Sequence, residues 1–274
     1  MGKQRLDTLL AARGLFPSRT RAAASVMAGE VKVGRGERRA SKPGELVDDG
    51  ELLAVEERQR YVSRGGVKLA NALDSCGLDV TSRRALDIGA STGGFTDCLL
   101  QRGAREVIAV DVGYGLLDYR LRSDPRVAVL ERTNARELTP QLLPAPLTDP
   151  AGPPELAVLD VSFISLTKVL PAAISCLGGD WDALAMVKPQ FEVGRERVGK
   201  GGVVRDAADR RAALVSVGEA AIGLGASVLG YHSSGLPGPK GNRETFLHLA
   251  APGRAGATAA DREALDALAR EVEP

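Results

Sequence analysis

The sequence predicts an α/β protein of two domains: a small α+β domain, and a larger domain whose mostly parallel sheet has an antiparallel strand pair at its end. The chain has 274 residues, a length that suits a short module plus a domain of about 100 to 200 residues. Apolar strands alternate with helices from residue 67 onward, which is the pattern of a parallel sheet covered on both faces. The first 55 residues hold two short helices and a few short strands.

Composition excludes several classes of function. Hydrophobic residues make up 44% of the chain and charged residues 26%, and no stretch approaches the roughly 18 consecutive apolar residues of a membrane-spanning helix. The N-terminus lacks the apolar run of a secretory signal, and the cysteines are Cys76, Cys98 and Cys176, an odd number with wide spacing. We therefore expect a reduced cytoplasmic protein with no membrane partner. His232 and His248 are the only histidines and there is no CxxC pair, so neither a metal site nor a Ser/His/Asp triad is expected.

Positive charge is concentrated at the N-terminus. Residues 1–42 contain ten Lys or Arg and three acids, a balance of +7, so the remaining residues sum to −6 within a total of +1. This distribution is typical of a short segment that contacts a polyanion. A solvated basic surface is the alternative, since 28 of the 36 basic residues are Arg, a bias that a GC-rich genome also produces.

The N-terminal elements follow from spacing and caps. Apolar residues at helical spacing predict a first helix that ends at Gly14, and Ser18 is a suitable N-cap for a second helix that ends at Gly29. Short strands are predicted at 31–33 and 51–55.

This region, from 5 to 55, resembles an S4 RNA-binding domain. The resemblance is carried by the Arg-Leu-Asp start, the Ser-Arg helix cap and the Gly-x-Val-x-Val strand, although Gly34-Arg35-Gly36 replaces the usual Asn-Gly after that strand. We assign 1–57 to this S4-like domain and 58–66 to an interdomain linker. The expected RNA contacts are Arg5, Arg19, Arg21, Lys32, Arg35, Lys42 and Arg64.

The larger domain is assigned to 67–252, with 253–274 as a tail of loop and short helix that is given no function. Helices are predicted at 67–76, 94–102, 165–176 and 206–224, and strands at 85–88, 107–110, 127–130, 156–159, 183–187, 226–231 and 244–249. The turn-forming segment 235–242 predicts that the last two strands pair antiparallel at or near the sheet edge.

The turn after the first strand of this domain predicts a cofactor site. Its small residues let the backbone approach a ligand at the carboxyl edge of the sheet. Asp111 ends the next strand, 22 residues after Gly89. A carboxylate at this position can accept hydrogen bonds from both hydroxyls of a ribose. The glycines are spaced G-x-x-x-G-G, and Asp87 would place a carboxylate near a pyrophosphate, so a dinucleotide is disfavoured. A carboxylate suits the ammonium and sulfonium of S-adenosylmethionine. A dinucleotide site and a tight turn without a ligand are the alternatives.

Four polar residues form the predicted catalytic set: Lys68, Asp160, Lys188 and Glu244. Asp160 and Lys188 each follow a strand and so share the carboxyl edge. A Lys-Asp-Lys-Glu set is the arrangement of ribose 2′-O-methyltransferases, in which Lys188 would act as base or hold the incipient alkoxide and Asp160 would orient it. The other two residues would fix the hydroxyl. For any one residue alone, an ordinary ion pair at a strand end is the simpler interpretation.

Two other methylation chemistries fit the sequence less well. Methylation of an exocyclic amine is associated with Asp/Asn-Pro-Pro-aromatic, whereas Asp160-Val161-Ser162-Phe163 lacks both prolines. Phe163 is therefore equally interpretable as core or as stacking platform. Methylation at carbon 5 of a base would need a nucleophilic cysteine, and no cysteine stands at a strand end.

Seven segments together carry a more specific resemblance. They are YVSRGGVKL (61–69), DIGASTGGFT (87–96), DVGYG (111–115), ERTNAR (131–136), DVSFISL (160–166), VKPQFE (187–192) and VGKGGVVRD (198–206). With the S4-like start, they resemble the TlyA or haemolysin A-like family of ribosomal RNA 2′-O-methyltransferases.

The resemblance implies methyl transfer from S-adenosylmethionine to cytidine riboses of ribosomal RNA, with ribosomal RNA or ribosomal subunits as partners and no obligate protein partner. It supports the four catalytic residues named above. The expected cofactor contacts are Asp87, Gly89, Ser91, Gly93, Gly94, Phe95, Asp111 and Asn134. Three alternatives stay open: a pore-forming haemolysin, for which no amphipathic or spanning segment is evident, an inactive RNA-binding module, and a methyltransferase acting on a small metabolite.

Overall fold

The computed structural model describes residues 2–36, 38–55, 60–147, 152–257 and 261–273. The chain forms two compact units, Met1–Gln59 and Arg60–Pro274. The predicted boundary at 57 lies outside the described residues.

The predicted linker ends inside the second unit and so requires a correction. Tyr61 is buried there, and the first helix begins at Arg64 instead of 67. The reason is close packing of the Tyr61 side chain on Gly66, where an added Cβ would lie 2.4 Å from the Tyr61 Cβ.

The first unit is a small α+β fold. Ser18 Oγ accepts a hydrogen bond from the Arg21 amide at 3.2 Å, as its predicted N-cap role requires. Leu6, Leu10 and Val31 are fully buried in its core. Its elements are β1 (Lys3–Arg5), α1 (Leu6–Ala12), α2 (Arg19–Met27), β2 (Val31–Val33), β3 (Arg38–Arg39), β4 (Leu46–Asp48) and β5 (Leu53–Val55). β1 pairs antiparallel with β4, and β2 pairs antiparallel with both β3 and β5.

The second unit alternates strands and helices. Its helices are α3 (Arg64–Cys76), α4 (Gly94–Gln101), α5 (Tyr119–Arg122), α6 (Leu170–Ser175), α7 (Pro189–Glu192), α8 (Ala207–Gly223) and α9 (Arg262–Val272). Its strands are β6 (Arg84–Ile88), β7 (Glu106–Val110), β8 (Val127–Leu130), β9 (Leu156–Leu159), β10 (Asp182–Val187), β11 (Ser227–Ser233) and β12 (Thr245–Ala250). The helix predicted at 165–176 is interrupted: a 3-10 turn at Leu166–Lys168 precedes α6, whose first turn contains Pro171, a residue that lacks an N–H to continue a preceding helix.

The strands of the second unit form one sheet in the order β11-β12-β10-β9-β6-β7-β8. β6 to β10 are mutually parallel, whereas β12 runs antiparallel to both β10 and β11. The predicted fold class, with its antiparallel pair at the end of a mostly parallel sheet, is confirmed.

Apolar side chains cover both faces of this sheet. Leu86 and Ile88 of β6 pack in the cluster that includes residues of α6 and α8, while Ala85 packs in the cluster that includes residues of α3 and α4. This alternation follows from the period of two in a strand. None of the helices in the described ranges combines the length and apolar character needed to cross a membrane.

The predicted tail is part of the second unit. Leu265 of α9 is fully buried in the core, and the buried carboxylate of Glu273 lies 2.8 Å from the Arg210 guanidinium of α8. Because α9 contributes to the same core as α8, the separate tail at 253–274 is corrected to an integral C-terminal helix.

Candidate active site

The sheet register brings the predicted catalytic positions to one edge. Leu159 of β9 pairs with Ile88 of β6 on one side and with Ala185 of β10 on the other. Gly89 and Asp160 therefore leave their strands side by side, and a Cβ on Gly89 would lie 2.6 Å from the Asp160 carbonyl oxygen. Gly89 has φ 87°, a conformation that only glycine adopts without strain. This contact requires glycine at the turn.

The reversed strand brings the fourth residue to the same edge. Val187 at the end of β10 pairs with Thr245 at the start of β12. Lys188 follows the first of these residues and Glu244 precedes the second, so the antiparallel register places them next to each other in the backbone. A parallel strand at this position would carry Glu244 to the opposite edge.

Lys188 and Asp160 form a partly buried ion pair. Lys188 Nζ lies 2.5 Å from Asp160 Oδ1 and donates a hydrogen bond to Ser162 Oγ at 2.9 Å. Two oxygen atoms from the segment after β9 thus hold the amine of Lys188, which follows β10, at the carboxyl edge of the sheet.

Lys68 and Glu244 form a second, more deeply buried pair. Lys68 Nζ of α3 contacts Glu244 Oε2, while Glu244 Oε1 is buried with no hydrogen-bond partner among the described residues. Gly238 permits this geometry, since a Cβ there would lie 2.3 Å from Glu244 Oε1. Buried ion pairs contribute little net stability because desolvation offsets their attraction. The pair is more readily explained by chemistry than by stability.

Two hydrogen bonds attach α3 to the loop that precedes Glu244. The Arg64 guanidinium donates to the Pro237 carbonyl at 2.8 Å, and Asn71 Nδ2 donates to the Ser234 carbonyl at 2.9 Å. Arg64, predicted as an RNA contact, is exposed and also holds this loop in place.

A cavity of about 850 Å³ opens beside the first ion pair. Four of the predicted cofactor residues line it, and Asp160 closes one side; the four are Gly89, Ser91, Asp111 and Asn134. Asp87, Gly93 and Gly94 do not line it. Phe95 is a correction, because its ring packs in the core against Phe246 with centroids 5.7 Å apart.

Asp111 is fixed at the cavity wall by two backbone amides. Its Oδ2 accepts a hydrogen bond from the Ser91 amide at 2.8 Å, and its Oδ1 accepts one from the Gly113 amide at 2.7 Å. Each carboxylate oxygen can accept a further bond. A pre-positioned carboxylate of this kind suits the two hydroxyls of a ribose.

Asp87 is a buried carboxyl behind the glycine turn. Its Oδ2 accepts a hydrogen bond from Thr96 Oγ1 at 2.6 Å, and its Oδ1 has no hydrogen-bond partner among the described residues. Burial raises its pKa to about 7, and the charges of Asp160 and Asp111 act in the same direction against the Thr96 hydrogen bond. Asp111 and Asp160 line the cavity together with the cations Arg136 and Lys168, and the Asp87 carboxyl lies buried behind the glycine turn. The residues present fit S-adenosylmethionine, whose ribose Asp111 would hold and whose cationic portion the Asp87 charge would favour from behind the turn.

Phe163 is the residue whose role the sequence left open. Its side chain is 92% exposed, it lines the cavity, and its ring centroid lies 5.3 Å from that of Phe191. Its φ of 63° is unusual for a non-glycine residue, and strain of this kind clusters at functional sites. Phe163 is not a core residue, and its position directly after Asp160 and Ser162 was the available signal.

In the first unit, two of the predicted RNA contacts share one buried acid. Arg5 and Arg19 both bond to the buried Asp7, at 2.8 and 3.1 Å, and the hydrogen bond from Arg5 holds the pKa of Asp7 far below its usual range even though burial opposes this. Both side chains remain about half exposed. Lys32 is half-buried, and the exposed positions are Arg21, Arg35 and Lys42.

Comparison with known proteins identifies the family. The FtsJ-like methyltransferase family matches residues 61–251, and the S4 domain family matches 4–53. The 16S/23S rRNA (cytidine-2′-O)-methyltransferase TlyA of Mycobacterium tuberculosis is 48% identical over 249 residues, which are 90% of each chain. The chain belongs to the TlyA family of FtsJ-like methyltransferases.

Other relatives of this methyltransferase extend the match. Hemolysin A of Brachyspira hyodysenteriae is 38% identical over 245 residues, 89% of this chain and 99% of that protein. A solved structure of a hemolysin-named protein from Streptococcus thermophilus is 41% identical with a TM-score of 0.71, covering 99% of this chain and 96% of that one. The predicted family and the S4-like start are confirmed.

The raised pKa of Asp87 predicts pH-dependent cofactor binding. A cationic ligand favours the ionised carboxylate, which predominates above pH about 7 in the free protein. Affinity for S-adenosylmethionine should therefore be constant above pH 7 and fall by up to about tenfold per pH unit below it. Calorimetric titration between pH 5.5 and 8 measures this dependence.

Asp87→Asn should bind weakly at every pH and lose this dependence, while its thermal stability at pH 8 rises because no charge is buried. Asp180→Asn, an exposed acid just before β10 at the opposite end of the strand from Lys188, is the matched control. A wild-type affinity that does not change with pH would contradict the role given to Asp87.

Proposed function

We propose that this protein transfers the methyl group of S-adenosylmethionine to the ribose 2′-hydroxyl of a cytidine in ribosomal RNA, and that it does so in the cytoplasm. The Asp160–Lys188 ion pair beside the cavity is the observation that carries the proposal. The TlyA relative, at 48% identity over 90% of this chain, is named for this reaction.

The cavity would bind the cofactor, and the carboxyl edge of the sheet beside it would act on the substrate. S-adenosylmethionine, when bound, supplies an electrophilic methyl group on a sulfonium and leaves as S-adenosylhomocysteine. All four predicted residues line the cavity, where Asp111 and Asn134 would hold the nucleoside portion and Gly89 and Ser91 the methionine portion. Asp160 lines the same cavity and is paired with Lys188, so both lie beside the residues that would hold the cofactor.

We assign to Lys188 the role of removing the proton from the ribose 2′-hydroxyl. A ribose hydroxyl is a weak nucleophile and must lose its proton as its oxygen attacks the methyl carbon. Asp160 and Ser162 hold the Lys188 amine in place, and after it has released its own proton to solvent it can take the proton of the hydroxyl. Glu244, next in the register, and Lys68 on α3 form the buried pair behind this edge and would position the elements that face the ribose.

We assign to Phe163 the role of stacking on the base of the target nucleotide. Its exposed ring at the cavity rim offers a stacking surface, and Phe191 supports it from behind. Stacking on an aromatic ring suits an unpaired nucleotide, whose ribose and base are both accessible.

We assign the sequence-independent binding of RNA to the S4 domain. Exposed basic residues at Arg21, Arg35 and Lys42 lie in a segment whose net charge is +7 over residues 1–42. Contacts with phosphate give affinity without requiring a particular sequence. Recognition of the target nucleotide itself then rests with the methyltransferase domain.

Substitution of Lys188 tests the chemistry. Lys188→Ala should lower single-turnover methyl transfer by about 100- to 10,000-fold, with S-adenosylmethionine and RNA binding unchanged, because its contribution is made at the reacting hydroxyl. Lys188→Arg should be equally inactive, since a guanidinium keeps its proton.

The product of this reaction resists alkali at the modified position because the 2′-oxygen is no longer free to attack the adjacent phosphate. Alkaline cleavage at the methylated nucleotide would place the methyl group on the base and reject the proposal. Full activity of Lys188→Arg would show that only a positive charge is needed there.

Substitution of Phe163 tests the base-stacking role. Phe163→Ala should lower kcat/KM for RNA by about 10- to 100-fold, since stacking contributes about 1–3 kcal/mol per base, whereas Phe163→Trp should retain most activity. Tyr119→Ala removes another exposed aromatic ring, on α5, and serves as the control. Equal activity of the alanine variants at both positions would exclude stacking at Phe163.

Salt dependence tests the S4 assignment in the full-length protein. Replacing Arg21, Arg35 and Lys42 together by Gln should reduce the slope of log affinity against log salt by about 2, the value for three lost contacts to single-stranded phosphate. Filter binding over a range of salt concentrations measures the slope. The control is Arg270→Gln on α9, and an unchanged slope in the triple variant would assign the RNA grip to another surface.

A further inference from the structure

Three metal-ligating side chains meet outside the methyltransferase site. Cys76 is the last residue of α3, His232 lies in β11 and His248 lies in β12. One ligand atom from each of these three residues lies within 4.8 Å of the other two. They are far apart in the sequence and belong to no short-spaced motif. For this reason the sequence alone predicts no metal site.

Both histidines are held by a further polar partner. His232 Nδ1 lies 2.9 Å from Ser75 Oγ, and His248 Nε2 lies 3.2 Å from Asp182 Oδ1. Asp182 is in turn fixed by Arg83 at 2.6 Å and Arg254 at 3.2 Å. Histidine ligands in metal sites characteristically use one ring nitrogen for the metal and the other for such a partner, which fixes the ring.

We propose that Cys76, His232 and His248 form a binding site for a divalent transition-metal ion of the zinc class. A thiolate with two imidazoles suits zinc or cobalt and disfavours magnesium and calcium, which prefer oxygen. Tetrahedral coordination needs ligand atoms about 3.5 Å apart, so the cluster must contract by about 1 Å. His248 is buried, whereas Cys76 and His232 are partly exposed and leave a path for the ion and room for that movement.

Binding replaces the Cys76 thiol proton by the metal, so one proton is released as the metal–sulfur bond forms. The fourth position is left to water or an external ligand. The metal would join the end of α3 to the β11–β12 pair. Lys68 lies on the same helix and Glu244 directly precedes β12, so the ion would brace the elements that hold this buried pair.

Cobalt provides the most direct test. The full-length protein, freed of metal by chelation, should bind one Co²⁺ per chain with a thiolate-to-cobalt charge-transfer band, and Zn²⁺ should displace it. Zn²⁺ should also raise the melting temperature, and at concentrations above Kd the rise should follow the logarithm of the Zn²⁺ concentration. Magnesium should do neither.

Variants assign the ligands. Cys76→Ala should lose the charge-transfer band, and His232→Gln should bind Zn²⁺ at least about 100-fold more weakly, while Cys176→Ala, at a buried cysteine outside the cluster, should behave as wild type. Saturable binding without a thiolate band, or no saturable binding by the wild type, would overturn the proposal, and both are measured on the unsubstituted protein. Unchanged Zn²⁺ affinity in the folded Cys76→Ala and His232→Gln variants would overturn it as well.

Discussion

The pairing of β12 against β10 is the constraint on which the site depends. Val187 pairs with Thr245, and this antiparallel register returns the chain to the carboxyl edge, where Glu244 stands beside Lys188. The parallel strands β6 and β9 bring the glycine turn and Asp160 to that edge by the rule common to open α/β sheets. One reversed strand therefore adds the Lys68–Glu244 pair to an edge where the parallel strands already place the glycine turn and the Asp160–Lys188 pair.

The site is built from charges that folding alone would not favour. Asp87 is fully buried with a raised pKa, and the Lys68–Glu244 pair is almost without solvent contact. Desolvation makes such groups costly, and the Glu244 carboxylate fits only because residue 238 is glycine, where a Cβ would lie 2.3 Å from Oε1. We interpret these costs as the stability that the protein gives up to hold a cationic cofactor and a weak nucleophile in one orientation.

Strand positions were predictable because buried parallel strands are continuous apolar runs: β8 and β9 occupy the predicted 127–130 and 156–159. Asp160 and Lys188 were placed at the carboxyl edge by the same rule, since each follows a parallel strand, whereas Lys68 lies inside α3 and Glu244 precedes the antiparallel strand β12. Three features depend on tertiary packing that local pattern does not encode. The Tyr61 ring on Gly66 starts α3 early, Phe95 turns into the core, and α9 packs on α8. Phe163 was ambiguous because exposure, unlike apolarity, cannot be read from a single side chain.

The most direct test is a structure of the protein with S-adenosylhomocysteine bound. The cavity, the carboxylates and the ion pair together predict how this ligand is oriented in the site. We expect the ribose hydroxyls on Asp111, the adenine near Asn134, and the sulfur facing Asp160 and Lys188. A ligand in the reverse orientation, with its adenine beside Lys188, or a ligand bound outside this cavity would contradict the assignment of the edge as the site of methyl transfer.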